Sequence, residues 1–203
     1  EEHFILFRPR DTVSGDFYWA YSDEQFVYWV AADCTGHGVP GAFMSMLGVS
    51  FLNEIVAEGG ETNAGVILTK LRAKVVKTLE QKGDEQRKDG MDIALCVLDK
   101  KTNQLQYSGA YNPLFIIRDN KEVEPLGFDK AIEEEVFTLF DYKADKMPIG
   151  KFLKEEPFQT TEIQLQKGDS LYTFTDGFQD QFGGEKGRKY MIKRMKKLLI
   201  SIH

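Results

Sequence analysis

One stretch constrains this chain more than any other: Tyr28-Trp29-Val30-Ala31-Ala32-Asp33-Cys34-Thr35-Gly36-His37-Gly38-Val39-Pro40-Gly41-Ala42. An apolar run of strand length stops at a carboxylate, passes through a Gly-rich turn, and resumes at a proline suited to the first position of a helix. Such a strand holds Asp33 rigidly at its tip, while Gly36 and Gly38 let backbone approach a ligand without Cβ obstruction. Taken alone, the stretch also has a plainer reading, with Asp33 capping a turn and His37 an ordinary surface histidine.

The 203 residues suffice for one good-sized core, and the chain reads as a single domain, 1–203. A net charge of −6 argues against a nucleic-acid surface, and the one concentrated basic run, Lys186 to Lys197, reads as a helix face. Cys34 and Cys96 lie in or at the ends of apolar runs without disulfide-framework spacing, which points to reduced thiols and a cytoplasmic location. No apolar stretch reaches the length a membrane span needs, so no membrane contact by the domain itself is expected. The chain opens almost in a strand (Phe4-Ile5-Leu6-Phe7) and stops within an amphipathic helix, and so reads as a domain excised from a longer sensor or regulatory protein.

Residues 12–20 and 26–32, rich in aromatic and β-branched residues, read as a hairpin across Ser22-Asp23-Glu24-Gln25. Pairing across that turn brings Asp16 near Asp33. From Pro40 to Glu58, Phe43, Met46, Leu47, Phe51 and Ile55 predict a helix face, and a second helix follows from Thr62, read as its N-cap, to about Gln81. Lys82 to Asp89 reads as a solvated charged loop. Strands are expected at 93–98, 105–108 and 114–118, linked closely enough for antiparallel pairing. Residues 128–156 are the least readable, with Glu133-Glu134-Glu135 a solvated cluster and Met147-Pro148-Ile149-Gly150 a turn. Residues 160–175 read as a further hairpin turning at Lys167-Gly168-Asp169 and ending on Asp176-Gly177, and 186–200 as an amphipathic helix over the sheet.

Asp16, Asp33 and Asp176 thus share one context, a strand end beside glycine. Aspartate is depleted in strands and an unpaired buried carboxylate is costly, so three such placements point to a cation. Oxygen ligands without clustered His or Cys favour Mg²⁺ or Mn²⁺ over zinc. Phosphate-binding loops, His-Glu-x-x-His, nucleophile elbows and Cys-x-x-Cys are all missing from the sequence.

The motifs Val13-Ser14-Gly15-Asp16-Phe17-Tyr18-Trp19, Ala32 to Ala42, Asp89-Gly90-Met91-Asp92, Ser108-Gly109-Ala110-Tyr111-Asn112-Pro113, Met147 to Gly150 and Thr175-Asp176-Gly177 occur in the order seen in the metal-dependent protein serine/threonine phosphatases. The chain resembles in particular the bacterial branch typified by the stage II sporulation protein E phosphatase domain. The resemblance implies an α+β fold, an αββα sandwich of two antiparallel sheets flanked by helices, with a binuclear Mn²⁺/Mg²⁺ site in the cleft between the sheet ends. It makes Asp33 the bridging ligand, with Asp16, Asp176 and the backbone carbonyl of Cys34 as further ligands, and it implies hydrolysis of phosphoserine or phosphothreonine by a metal-activated water.

His37 stays open to two roles, protonating the leaving oxygen or shaping the loop. Arg8 and Arg10 read either as guanidinium forks for the phosphate or as exposed charges flanking Pro9. Asp92 is either a ligand for a peripheral ion or the polar start of a strand. Tyr111 stands where many relatives have histidine, so no histidine role passes to it. The family's C-terminal strand, preceded by an aspartate that completes the second metal position, is missing before His203, which sets a catalytically weak binding module in a signalling partner switch as the alternative to an enzyme. Relatives in this branch act on small regulators, and the implied partner is a phosphorylated STAS-domain protein of the anti-anti-sigma type.

Overall fold

The computed structural model describes residues 2–9, 12–80, 89–119, 130–133 and 136–203. Arg10, the charged stretch 82–88 and the Glu134-Glu135 pair lie outside them. Strand β1 (Phe17–Ser22) and β2 (Phe26–Cys34) form the expected hairpin, with Asp23 Oδ1 accepting from the N–H groups of Gln25 and Phe26 at 2.8 and 2.7 Å to fix the turn. The first strand begins at Phe17 instead of Thr12. Helix α1 (Gly38–Leu52) runs into a wider π-helical turn, Asn53–Glu58, and α2 (Ala64–Glu80) follows. Then come β3 (Gly90–Asp99), β4 (Gln104–Ala110), β5 (Leu114–Asp119), β6 (Lys130–Glu133), β7 (Phe137–Tyr142), β8 (Ile149–Gly150), β9 (Thr161–Gln164) and β10 (Ser170–Thr173). A small hairpin, β11 (Phe182–Gly183) and β12 (Arg188–Lys189), precedes α3 (Ile192–Ser201).

The strands make two antiparallel sheets, one ordered β1-β2-β3-β4-β9 with β8 beside the start of β3, the other ordered β10-β5-β7-β6. Side-chain alternation then builds the layers. On β3, Ile93, Leu95 and Val97 pack with Leu52, Ile67, Leu68 and Leu71 of the first helical layer, while Ala94, Cys96 and Leu98 meet Leu114, Ile116, Phe140 and Tyr142 of the other sheet. The outer face of that second sheet, Phe115, Ile117 and Leu139, is covered by Met195, Leu199 and Ile200 of α3. Helices, sheet, sheet, helix is the αββα sandwich expected from the resemblance.

Several local expectations change. Residues 2–9 form no strand, and Phe4 to Phe7 are exposed. Pro40 is the third residue of α1, still within the first turn, where its missing N–H leaves no hydrogen bond unmade. That helix buries Gly41, Met44, Gly48 and Leu52, and leaves Phe43 and Met46 exposed. The sequence misleads here because the helix is apolar nearly all round, and glycines do the packing: a Cβ on Gly48 would lie 2.8 Å from the Phe17 ring. Against the expectation that no apolar stretch reaches membrane length, Gly38–Glu58 is long and apolar enough by length and composition, because its scattered Ser, Gly and Asn leave the average apolar; one face of it lies on the first sheet. Asn63, not Thr62, caps α2, its Oδ1 accepting from Val66 N at 3.0 Å. Ile149–Gly150 is a short strand beside β3 and not a turn. The final helix starts at Ile192, the β11–β12 hairpin taking the place of its expected first turns. Both cysteines are free and buried.

The largest change concerns 160–175. These residues form no hairpin: β9 pairs with β4 in the first sheet and β10 with β5 in the second. The turn between them carries the chain from one layer to the other and is clamped by a buried ion pair. Arg118 donates from Nε and Nη2 to both Asp169 oxygens at 2.7 and 2.6 Å, and Nη2 also reaches the Gln164 carbonyl at 3.2 Å. The two side chains are 1% and 2% exposed. Removing one member strands the other charge inside the protein, so Asp169→Ala is expected to cost about 3–5 kcal/mol in urea unfolding. Breaking the solvent-exposed Lys154–Glu156 pair is expected to leave the midpoint unchanged.

Candidate active site

The β1–β2 register pairs Phe17 with Ala32, so Asp16, one residue earlier, lies beside Asp33 at the end of β2. Asp33 itself pairs with Asp92 at the start of β3. All three positions belong to the face turned toward the second sheet, since their neighbours Phe17, Ala32 and Ile93 face the helices. Asp176 arrives from that second sheet, three residues beyond β10. Thr175 Oγ1 donates to Asp16 Oδ2 at 2.8 Å and closes the cleft between the two sheet ends. The structure therefore brings Asp16, Asp33, Asp92 and Asp176 together from four different strand ends.

The glycines of the opening motif serve backbone-on-backbone packing. A Cβ on Gly15 would stand 2.8 Å from the Gly36 carbonyl oxygen and 3.0 Å from that of Cys34, and one on Gly41 would stand 2.7 Å from the same Gly36 oxygen. Gly36 and Gly38 have φ of 94° and 63°, the left-handed region that glycine adopts without penalty. The loop after Asp33 is pinned to β3, with Thr35 N and Oγ1 donating to the Gly90 carbonyl at 2.9 and 3.1 Å. The first turn of α1 is thereby packed against the loop that follows Asp33.

Burial, then the neighbouring charges of Asp16 and Asp176, push the Asp33 carboxyl up to about 8, and its protonated form hydrogen-bonds with both neighbours. Burial and the charge of Asp176 raise Asp92 to about 6. No lysine or arginine forms an ion pair with any of the four among the described residues. No three Asp, Glu, His or Cys side chains stand there as a finished coordination sphere either. What the structure holds is a set of oxygen donors that repel one another, chemistry suited to a hard divalent cation. The Cys34 thiol is no part of it. It packs in the helix-side core, and burial raises its pKa to about 12, so only its backbone carbonyl faces the Gly15 side of the turn.

His37 is exposed at the N-cap of α1, and its ring makes no capping hydrogen bond. Arg8 is exposed and forms no ion pair with the carboxylates among the described residues, and Arg10 lies outside them. Sequence reasoning missed Thr175 and Thr35 as supports of the cluster. Their signal was adjacency alone, each standing one or two residues from an aspartate.

A family model described as stage II sporulation protein E (SpoIIE) matches residues 23–203. Among solved structures, the SiaA-PP2C domain of Pseudomonas aeruginosa superposes with a TM-score of 0.78 at 28% identity, over 97% of this chain and 69% of that one. The PP2C phosphatase domain of the cell fate determinant SpoIIE from Bacillus subtilis, solved with a fragment of its regulatory domain, gives 0.61 at 19% identity over 83% of this chain and 42% of that one. RsbX in complex with magnesium gives 0.56 at 14% identity, over 97% and 83%. No sequence among the curated proteins matches. The family match takes in Asp33, Asp92, Asp176 and every strand but the first, and the superposition on the SiaA domain takes in nearly the whole chain: the protein belongs to the stage II sporulation protein E family and has the PP2C phosphatase fold.

Proposed function

We propose that the chain is the single phosphatase domain of a regulatory protein, hydrolysing phosphoserine or phosphothreonine on a bacterial regulatory phosphoprotein with two Mn²⁺ or Mg²⁺ ions. The observation that carries this reading is the meeting of Asp16, Asp33 and Asp176 from both sheets in one cleft without a described cationic partner. Magnesium in the RsbX complex supports the choice of ion. Asp33 and Asp16, with Asp176 from the opposite sheet and the Cys34 carbonyl, would hold the ions. Bound there, a divalent pair supplies Lewis acidity toward water and the phosphoryl oxygens.

The chain's own residues position that chemistry. Thr175 orients Asp16 through its hydrogen bond, the Thr35–Gly90 bonds fix the tip of β2, and Gly15 and Gly41 let the first turn of α1 pack on the loop after Asp33. His37, exposed four residues after Asp33, is the candidate to give a proton to the leaving serine or threonine oxygen. Asp92, paired with Asp33, is the candidate for a peripheral ion. Arg8 and Arg10 are retained only as candidates for the phosphate itself. The partner implied by the family resemblance is a STAS-domain regulator.

Two outcomes test this. In the full-length protein, Mn²⁺-dependent hydrolysis of p-nitrophenyl phosphate is expected, abolished by chelator and lowered in Asp33→Asn by more than about 100-fold, beyond the 10- to 100-fold usual for an outer-shell partner. Activity within a few-fold of wild type in that variant contradicts the mechanism.

Stability gives the second. A carboxyl in the unfolded chain titrates near 3.9, whereas Asp33 in the fold is pushed up to about 8. Between about 4 and about 8 the folded cation-free chain keeps a proton that the unfolded chain has released, so its stability is greatest below this window and falls as pH rises through it. Melting curves without divalent ions are expected to show Asp33→Asn flattening that fall and melting higher than wild type at pH 8, on the order of 2–4 °C for each kcal/mol of repulsion removed. Added Mn²⁺ is expected to raise the wild-type melting temperature and leave the variant's unchanged.

A further inference from the structure

The row of positions that carries the carboxylates at the end of the first sheet continues onto β4. Asp16, Asp33 and Asp92 stand side by side across β1, β2 and β3, and Ile93 pairs with Ala110, so the next position on β4 is Tyr111. Tyr111 has φ of 58°, left-handed, where bulky residues rarely sit. Its surroundings impose that conformation. Tyr111 N donates to the Asp145 carbonyl at 3.0 Å, Asp145 N to that of Gly109 at 3.0 Å, and Asn112 N to that of Ala110 at 2.7 Å. Tyr107 donates its hydroxyl to the Asn112 carbonyl at 2.7 Å, and a Cβ on Gly109 would fall 2.3 Å from that same hydroxyl. Ser108, Ala110 and Asn112 are all buried around it.

Yet the side chain this strained backbone presents is 45% exposed. Its hydroxyl makes no hydrogen bond among the described residues. Glycine or asparagine would take the same backbone at lower cost, so the fold gives no reason for a tyrosine here. Strain kept at a position the core does not use points to a ligand.

We propose that Tyr111 is a substrate-binding residue whose ring walls the cleft mouth and packs against the polypeptide flanking the phosphorylated side chain. The assignment rests on the phosphatase reading and names the class of substrate as a phosphorylated polypeptide in preference to a small phosphomonoester. Two strand spacings, about 10 Å, separate the strand of Tyr111 from that of Asp33. That separation matches about three residues of extended peptide. A tyrosine ring offers such a chain a large, rigid, amphipathic contact with few torsions to freeze.

The test uses the full-length protein with Mn²⁺ on two substrates, p-nitrophenyl phosphate and serine-phosphorylated casein. Tyr111→Asn suits the left-handed backbone, and is expected to melt no lower than wild type. Its kcat/KM for the casein, relative to that for the small ester, is expected to fall at least tenfold, the loss lying in KM, while Tyr111→Phe keeps most of the ratio. Equal losses on both substrates, or an unchanged ratio, overturn the assignment. Wild-type protein that turns over neither substrate removes the phosphatase reading and this inference with it, whereas wild-type turnover of both with an unchanged ratio in Tyr111→Asn removes the role of Tyr111 alone.

Discussion

Mutual repulsion among Asp16, Asp33 and Asp176 is the constraint around which the rest of the molecule is built. Placing like charges in one partly buried cleft is unfavourable by itself, and the raised Asp33 carboxyl is its signature. A chain tolerates this only where its layers leave no alternative. Here Asp33 is fixed by pairing with Asp92 of β3 one residue past the β1–β2 ladder, and Asp176 is delivered from the other sheet by a strand the chain can reach only by changing layers. The Arg118–Asp169 clamp at that crossing is therefore tied to the site although it lies away from it.

The glycines complete the same design. Gly15 and Gly41 close on the Gly36 carbonyl through backbone atoms, in a volume that a side chain on either would overfill, and Gly36 itself supplies the left-handed turn. Gly48 brings helix α1 down onto Phe17. Carboxylates held on strand ends offer a cation that enters donors already gathered.

Much of this was legible in the sequence. Alternating apolar runs gave the strands of the first sheet, and the aspartate-glycine pairs marked the site before any contact was known. What stayed hidden depended on long-range pairing. Ile163 and Leu165 alternate as in any strand, and the separation of 161–164 and 170–173 into different sheets, with Arg118 buried at the turn between them, appears only in the fold. Strand β7, with Phe137-Thr138-Leu139-Phe140-Asp141-Tyr142, is buried on both faces, so its pattern carries no clean alternation. Its Asp141 is accommodated by Lys196 of α3 at 2.6 Å. The outer apolar residues of α1 misled for the opposite reason, since a helix apolar all round has no face to read. Tyr111 drew notice in the sequence only for replacing a histidine. Its backbone strain became visible with the fold.

The most direct measurement is anomalous diffraction at the manganese edge from crystals of the full-length protein grown with Mn²⁺. Peaks within ligand distance of the carboxylates of Asp33, Asp16 and Asp176 are the expected result. A map with no peak in the cleft between the two sheets, or with manganese bound only elsewhere on the molecule, contradicts the assignment of these aspartates as its ligands.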